Sequence, residues 1–298
     1  MIDLHLHTKY SDGSDSVLEL LEKAEKLKLE YISITDHENV GAYKELENKE
    51  IRSKFSGKII PGIEIKCSYN KRLIEVLGYN IDIKKMNSWT EEYYKDKTKE
   101  KIQAKYFDIL YDKCKDMGLV MSEKENIKFD SKVDWASVTI YKEIKSHEEN
   151  KEKLPTDLWE EFITFSKKYC GNPESKFYID KTKDYPSVEL VINKIKECDG
   201  LAFYPHLFIY KWAEDRKQMI TELLASHSVD GIECMHSEFN EEETKYLINL
   251  CNEENYYMSG GSDYHGTNKV NIKMAEGKGN LKIEKEMILD WIDETKLI

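Results

Sequence analysis

Asp3-Leu4-His5-Leu6-His7 stands at the head of the chain and decides how the rest is read. On a strand, side chains two apart project to one face, so His5 and His7 point together while Leu4 and Leu6 turn the other way into apolar packing. Two imidazoles aimed alike are a ready pair of metal ligands. They are equally what two ordinary strand histidines look like, and the spacing alone does not choose between the two.

Working outward, apolar runs of strand length recur: Ile2 to His7, Tyr31 to Thr35, Lys58 to Cys67, Leu73 to Tyr79, Leu201 to Tyr204, Gly231 to Met235 and Tyr256 to Ser259. Helical patterns fit between most of them. Ser16 to Leu29 follows a capping-like Asp-Ser pair, Pro186 to Cys198 opens on proline with Gly200 past its end, and Asn240 to Asn252 has an acidic first turn. This alternation predicts an α/β fold with a mostly parallel sheet. Seven strands rather than eight predict a distorted seven-stranded (β/α)7 TIM-like barrel. One link breaks the alternation: Ser68 to Arg72 is far too short for a parallel crossover, so the third and fourth strands should pair as an antiparallel hairpin. A turn centred between Tyr69 and Asn70 would set Glu64 opposite Glu75.

From about Lys84 to Lys183 the character changes. Stretches such as EEYYKDKTKEKIQAKYFDILYDKC and KLPTDLWEEFITFSKKYC are rich in Lys, Glu and Tyr at helical spacing. The expected organisation is a barrel domain from residues 1–83 and 184–298 interrupted by a helical insertion, 84–183, whose charges line solvated faces or cap a substrate. No internal repeat or low-complexity linker stands out.

The 298 residues carry 45 basic and 57 acidic side chains, a net charge of −12, and 40% are hydrophobic, enough for a real core. Non-specific binding to nucleic acid or an anionic membrane needs a basic surface, so no extended nucleic-acid surface is expected. A small anionic substrate would need metal ions or a local lysine cluster to overcome the negative field. No apolar run approaches a membrane span, and MIDLHLHTKY lacks the features of a signal peptide, which makes the cytoplasm the expected location. Six cysteines without a CxxC pair or regular spacing indicate neither a zinc ribbon nor a disulfide framework.

Metal-ligand residue types follow the apolar runs again and again. Beyond the first strand comes Ser11-Asp12-Gly13; the second runs into Asp36-His37; the third contains Pro61-Gly62-Ile63-Glu64; the fifth runs into His206; the seventh runs into Ser262-Asp263-Tyr264-His265. In a barrel these ends form the rim where active sites are built. His236, after the sixth strand, reaches the same rim as a candidate substrate contact or proton donor, or as a satisfied rim histidine. Asp36 reads as a partner that holds the His37 imidazole. His147 and His227 lie in charged helical surroundings and read as surface residues.

The segments HLHTKYSDGS, ISITDH, IIPGIEI, YPH and GGSDYHG together resemble the PHP family, named for polymerase and histidinol phosphatase, over roughly residues 1–80 and 186–280. The resemblance implies a distorted seven-stranded barrel that holds two or three divalent metal ions (Mn, Fe or Zn) and hydrolyses phosphate esters. It implies that His5, His7, Glu64 and Asp263 share one metal, that Glu64 bridges to a second held by His206, and that Asp12, His37 and His265 form a third site. His206 or His236 would protonate the leaving oxygen.

Two departures accompany the resemblance. The family usually has histidine where this chain has Glu75, in Ile74-Glu75-Val76-Leu77-Gly78-Tyr79. As an oxygen ligand to the second metal, Glu75 would favour harder ions such as Mn or Fe; otherwise that site is weakened. Related phosphoesterases also often carry an Arg-Pro-His-like segment in the insertion, whereas Trp135 to Ile140 has no arginine, and the whole chain has only Arg52, Arg72 and Arg216. The expected activity is hydrolysis of a small, nucleotide-like phosphomonoester. Rival readings are a degenerate, non-catalytic metal-binding module and an amidohydrolase-type enzyme that cleaves a C–N bond.

Overall fold

The residues of the HxH strand are buried throughout, and their neighbours show why the sheet stops where it does. A computed structural model describes residues 1–298, apart from the side chain of Lys167. Eight strands form: β1 (Ile2–Leu6), β2 (Tyr31–Ile34), β3 (Lys58–Ile59), β4 (Gly62–Tyr69), β5 (Arg72–Tyr79), β6 (Leu201–Tyr204), β7 (Gly231–His236) and β8 (Tyr257–Gly261). They make two sheets, ordered β1-β2-β3 and β4-β5-β6-β7-β8. The architecture is α/β, but the expected closed seven-stranded barrel is not what forms.

Both interruptions have local causes. The expected third strand is two strands, because the chain leaves one sheet at Ile60, whose N–H donates to the Ile32 carbonyl at 2.9 Å, and Pro61 has no N–H to continue the ladder. Beyond it only an isolated bridge, His37 to Glu64, links the second strand's extension to β4. At the other seam, β8 runs beside β1 without a ladder. The Ser262 N–H and hydroxyl and the Ala275 N–H all donate to the buried Asp3 carboxylate, at 2.8, 2.6 and 2.7 Å. A side chain there takes donors that a neighbouring strand would otherwise use, and one bridge, Leu6 to Tyr264, remains.

The β4–β5 pair is antiparallel, as the short link demands, but its register differs from the expected one. Tyr69 pairs with Arg72, so the turn is Asn70-Lys71, and Lys66 rather than Glu64 stands opposite Glu75. Both turn residues have positive φ, 44° and 60°, the requirement of a two-residue turn that matches strand twist. The shift is by two residues, which preserves the face on which each side chain lies.

Helices pack where the capping residues place them. Ser16 accepts from the Glu19 N–H while Glu19 returns a bond to the Ser16 N–H, starting the helix Val17–Lys26. Its residues Val17, Leu20, Leu21 and Ala24 are buried at helical spacing, each leucine contributing about 1.5–3 kcal/mol. Asn240 and Glu243 form the same box for Glu241–Glu254, and Ser187 caps Val188–Glu197. Residues Met1–Glu91 with Tyr185–Ile298 form one compact unit, and Glu92–Asp184 a second. The second is helical, with its own core that includes Phe107, Leu110, Ile140, Ile144, Leu158 and Phe165. All six cysteines are free and buried. No helix among the described residues is long and apolar enough to cross a membrane.

The β8–β1 approach is close enough to test. A Cβ on Gly261 would lie 2.4 Å from the His5 Cβ and 2.5 Å from its nitrogen. Gly261→Ala is therefore expected to destabilise the protein by about 1–3 kcal/mol, read as a lower urea midpoint; an unchanged midpoint would show that the strands do not need this contact.

Candidate metal centre

The ends of β1, β2, β6 and β8 and the bodies of β4, β5 and β7 deliver acids and imidazoles to one place. Glu64, 1% exposed, lies at its middle. Its Oε2 is 3.2 Å from His5 Nε2, 3.3 Å from His7 Nε2 and 3.3 Å from His37 Nδ1, and its Oε1 is 2.8 Å from His206 Nε2. Asp263 Oδ1 is 3.7 Å from His5, 3.5 Å from His7 and 3.4 Å from His265. Asp12 reaches His265 at 3.0 Å and both His7 and His37 at 3.6 Å. Glu75 lies 3.4 Å from His206 through Oε2 and 3.9 Å from His37 through Oε1, and Lys66 Nζ is 3.2 Å from that same Oε1. His236 Nε2 is 3.5 Å from Asp263 Oδ2. Every site residue singled out from the sequence is thus in the cluster.

These separations suit ligands to shared ions. Two donors bound to one ion at about 2.1 Å stand roughly 3.0–3.4 Å apart. Three groups each offer ligand atoms lying within 4.8 Å of one another: His7, Asp12, His37 and His265; His5, His7 and Glu64; and His37, Glu64 and Glu75. The buried atoms His5 Nε2, His7 Nε2, His37 Nδ1, His206 Nδ1 and His236 Nε2 have no hydrogen-bond partner. An unsatisfied buried polar group costs about 1–3 kcal/mol, so a cluster of them fits a cation.

Local geometry explains the aiming. His206 and Asp263 have φ of 33° and 57°, left-handed values that turn the chain sharply as β6 and β8 end; for non-glycine residues this costs on the order of 1–3 kcal/mol each. The His206 N–H is held by Glu233 Oε2 at 2.8 Å. Register along β7–β8 slips between Glu233 and Met235. Such a bulge lets Glu233 and His236, three apart, face the same site. Asp36 has a different task from the one expected. It accepts from the Thr8 N–H, Thr8 hydroxyl and Ser11 hydroxyl at 2.7, 2.6 and 2.5 Å, which anchors the loop carrying Asp12 rather than the His37 ring.

Glu233 was not singled out from the sequence, although an acid inside the apolar run Gly231 to Met235 was a signal. Its Oε1 is 2.9 Å from His5 Nδ1. Lys269, also missed, meets Asp263 Oδ2 at 2.5 Å; nothing in its sequence surroundings distinguishes it from other surface lysines.

Protonation follows this crowding. Burial disfavours a charged His5, but Glu64 and Glu233 outweigh it and hold its pKa well above the ordinary imidazole value. Burial likewise opposes ionisation of Glu64, and the facing His5 and His37 overcome it, keeping the carboxyl well below its usual range. Asp263 is depressed against its burial by His236, His5 and His7.

The PHP domain family model matches residues 3–238. The chain belongs to the PHP domain family. Asp263 and His265 lie beyond the matched residues, and the fold of this PHP protein brings them to the others. Among curated relatives, 5′-3′ exoribonuclease Rnm of Escherichia coli is 22% identical over 264 residues, 88% of this chain and 84% of its own. Phosphoribosyl 1,2-cyclic phosphate 1,2-diphosphodiesterase of Eggerthella lenta is 22% identical over 266 residues, covering 89% and 94%. The 3′,5′-nucleoside bisphosphate phosphatase of Chromobacterium violaceum is 27% identical over 81 residues, 27% of this chain and 28% of its own. Two solved structures share the fold. One, described as a metal-dependent phosphoesterase of Bifidobacterium adolescentis, has TM-score 0.61 and 20% identity, covering 99% of this chain and 97% of its own. The other, described as an amidohydrolase of Chromobacterium violaceum, has TM-score 0.63 and 16% identity, covering 100% and 97%.

The pKa of His7 supplies a test on the metal-free protein. Burial, reinforced by His37 and His265 against the pull of Glu64, pushes it from 6.5 to about 3. Below about pH 6.5 the unfolded chain takes up this proton while the folded chain resists until about pH 3, so stability through His7 falls as pH falls across that window. Chelator-treated wild type should lose more urea stability than His7→Gln between neutral and mildly acid pH; parallel losses would contradict the assignment.

Proposed function

We propose that this PHP protein hydrolyses a small, nucleotide-like phosphomonoester with two or three divalent ions, Mn, Fe or Zn, held by the cluster. The observation that carries this reading is the buried Glu64 carboxylate with four imidazoles no more than 3.3 Å away. His5, His7, Glu64 and Asp263 would hold one ion, Glu64, Glu75 and His206 a second, and Asp12, His37 and His265 a third. Ions in such sites make water acidic and neutralise phosphoryl oxygens. Glu75 adds a hard oxygen donor, which favours Mn or Fe over Zn.

The chain's own groups supply the rest. His206, 2.8 Å from Glu64, belongs with the ligands. That leaves His236 as hydrogen-bond donor to the leaving oxygen. The Glu238 N–H donates to its Nδ1 at 3.1 Å, so in the neutral ring the proton sits on Nε2, the atom beside Asp263. Glu233 fixes the His5 ring from the side away from Glu64. The names of the relatives, a nucleoside bisphosphate phosphatase, a ribosyl cyclic phosphate diesterase and an exoribonuclease, favour nucleotide-like substrates.

His7→Ala and Asp263→Ala should each lower metal-dependent turnover of a generic phosphomonoester by about 10³-fold or more while circular dichroism stays native, a loss at the upper end of those seen when transition-state charge stabilisation is removed; undiminished turnover would refute the assignment. A parallel screen of cyclic amides should give none. Glu233→Gln should weaken divalent-ion affinity by roughly 10–100-fold, measured by calorimetry; unchanged affinity would remove Glu233 from the centre's support. Protein purified without chelators should carry at least two transition-metal equivalents, and fewer, with reloading also failing, would favour a degenerate module.

A further inference from the structure

Charge is unevenly distributed around the centre. Beside His236 it opens into a cavity of about 570 Å³ whose basic residues, Lys211, Arg216 and Lys269, outnumber its carboxylates, Glu238 and Asp263. Lys66 does not line that cavity. It comes to the centre from the hairpin, where the β4–β5 register sets it directly across from Glu75, and opposite charges on facing strands attract. Its Nζ is 3.2 Å from Glu75 Oε1, and the side chains are only 31% and 14% exposed. Glu38 fixes the backbone here: it accepts the Lys66 N–H at 2.8 Å, while its own N–H donates to the Glu64 carbonyl at 2.8 Å.

This ammonium does for Glu75 what the imidazoles do for Glu64, supplying the charge that a largely buried carboxylate needs. It also sets a limit. A divalent ion bound by Glu75 would share one carboxylate with Lys66, and two cations on one carboxylate repel each other, with less screening in a partly buried pocket than at the surface. The first ion has a comparable neighbour, Lys269 at 2.5 Å from Asp263 Oδ2, but it would keep Asp263 Oδ1 and the imidazoles of His5 and His7. The second has the single imidazole of His206 beside Glu75 Oε2.

We infer that Lys66 is a specificity-determining residue of the centre: its ammonium competes with the second divalent ion for Glu75, so that the ion at Glu64, Glu75 and His206 is held more weakly than the ion at His5, His7, Glu64 and Asp263 and enters only at higher free-ion concentration. The inference rests on the reading above that the cluster holds at least two ions. It gives the hairpin pair a function that neither residue has alone.

The test titrates chelator-treated protein with Mn²⁺ and follows the unbound ion by its electron paramagnetic resonance signal, which needs no substrate. Wild type should show a tight class and a weaker class. Lys66→Met, checked for a native urea midpoint, should leave the tight class in place and strengthen the weaker one by about tenfold or more. Lys66→Gln, also uncharged, should do the same, whereas Lys66→Arg should retain the weak class. Glu75→Gln in the Lys66→Met background should abolish the gain, because no carboxylate is then left for two cations to share. One class of equal sites in wild type, a weak class that Lys66→Met and Lys66→Gln leave unchanged or weaken further, or equal tightening in Lys66→Arg would overturn the inference. Turnover of a generic phosphomonoester separates it from the hydrolytic reading. Tightening in a protein without turnover would keep the role of Lys66 and sink hydrolysis, while turnover with unchanged Mn²⁺ binding in Lys66→Met would do the reverse.

Discussion

A carboxylate buried among imidazoles is the constraint on which this structure depends. An isolated buried ion costs several kcal/mol, and Glu64 avoids that only because His5, His7, His37 and His206 reach it from separate parts of the chain. Each of those parts must stop, turn or slip in register at the right residue. His5 is hydrogen-bonded to Glu233 through Nδ1 and turns Nε2 toward Glu64 at 3.2 Å, so its position also ties β1 to β7. The same arrangement that is costly without a cation is a receptor for one.

The division into two sheets serves this convergence. A closed ladder would engage the backbone all the way round and hold every strand end in register. Here Pro61 ends one ladder, and the Asp3 side chain takes donors at the other seam. The segments beyond β2 and β8 can therefore bend toward Glu64 and carry His37, Asp263 and His265 with them. Left-handed backbone at His206 and Asp263 is the local cost of that bending. It is offset where hydrogen bonds such as Glu233 to the His206 N–H hold the turn.

Charge is organised on two scales. The whole chain is acidic, whereas the cavity next to the centre carries lysine and arginine with too few acids to match them. An anionic ligand repelled at a distance would meet the opposite sign once inside. Lys66 beside Glu75 shows the same principle at shorter range, its ammonium standing 3.2 Å from that carboxylate.

The parity of His5 and His7, the capped helices, the antiparallel hairpin and the succession of acids and histidines after apolar runs were all legible in the sequence. These follow from rules that act over a few residues: strand alternation, capping chemistry and minimum crossover length. Tertiary structure alone decided that two sheets form instead of a barrel, that Lys66 faces Glu75, that Asp36 anchors a loop rather than a ring, and that Glu233 supports His5. Each of these depends on which distant group competes for a given donor, or on the φ of two turn residues. A one-dimensional pattern states neither, because hydrogen-bond partners far apart in sequence are chosen only when the chain has closed around them.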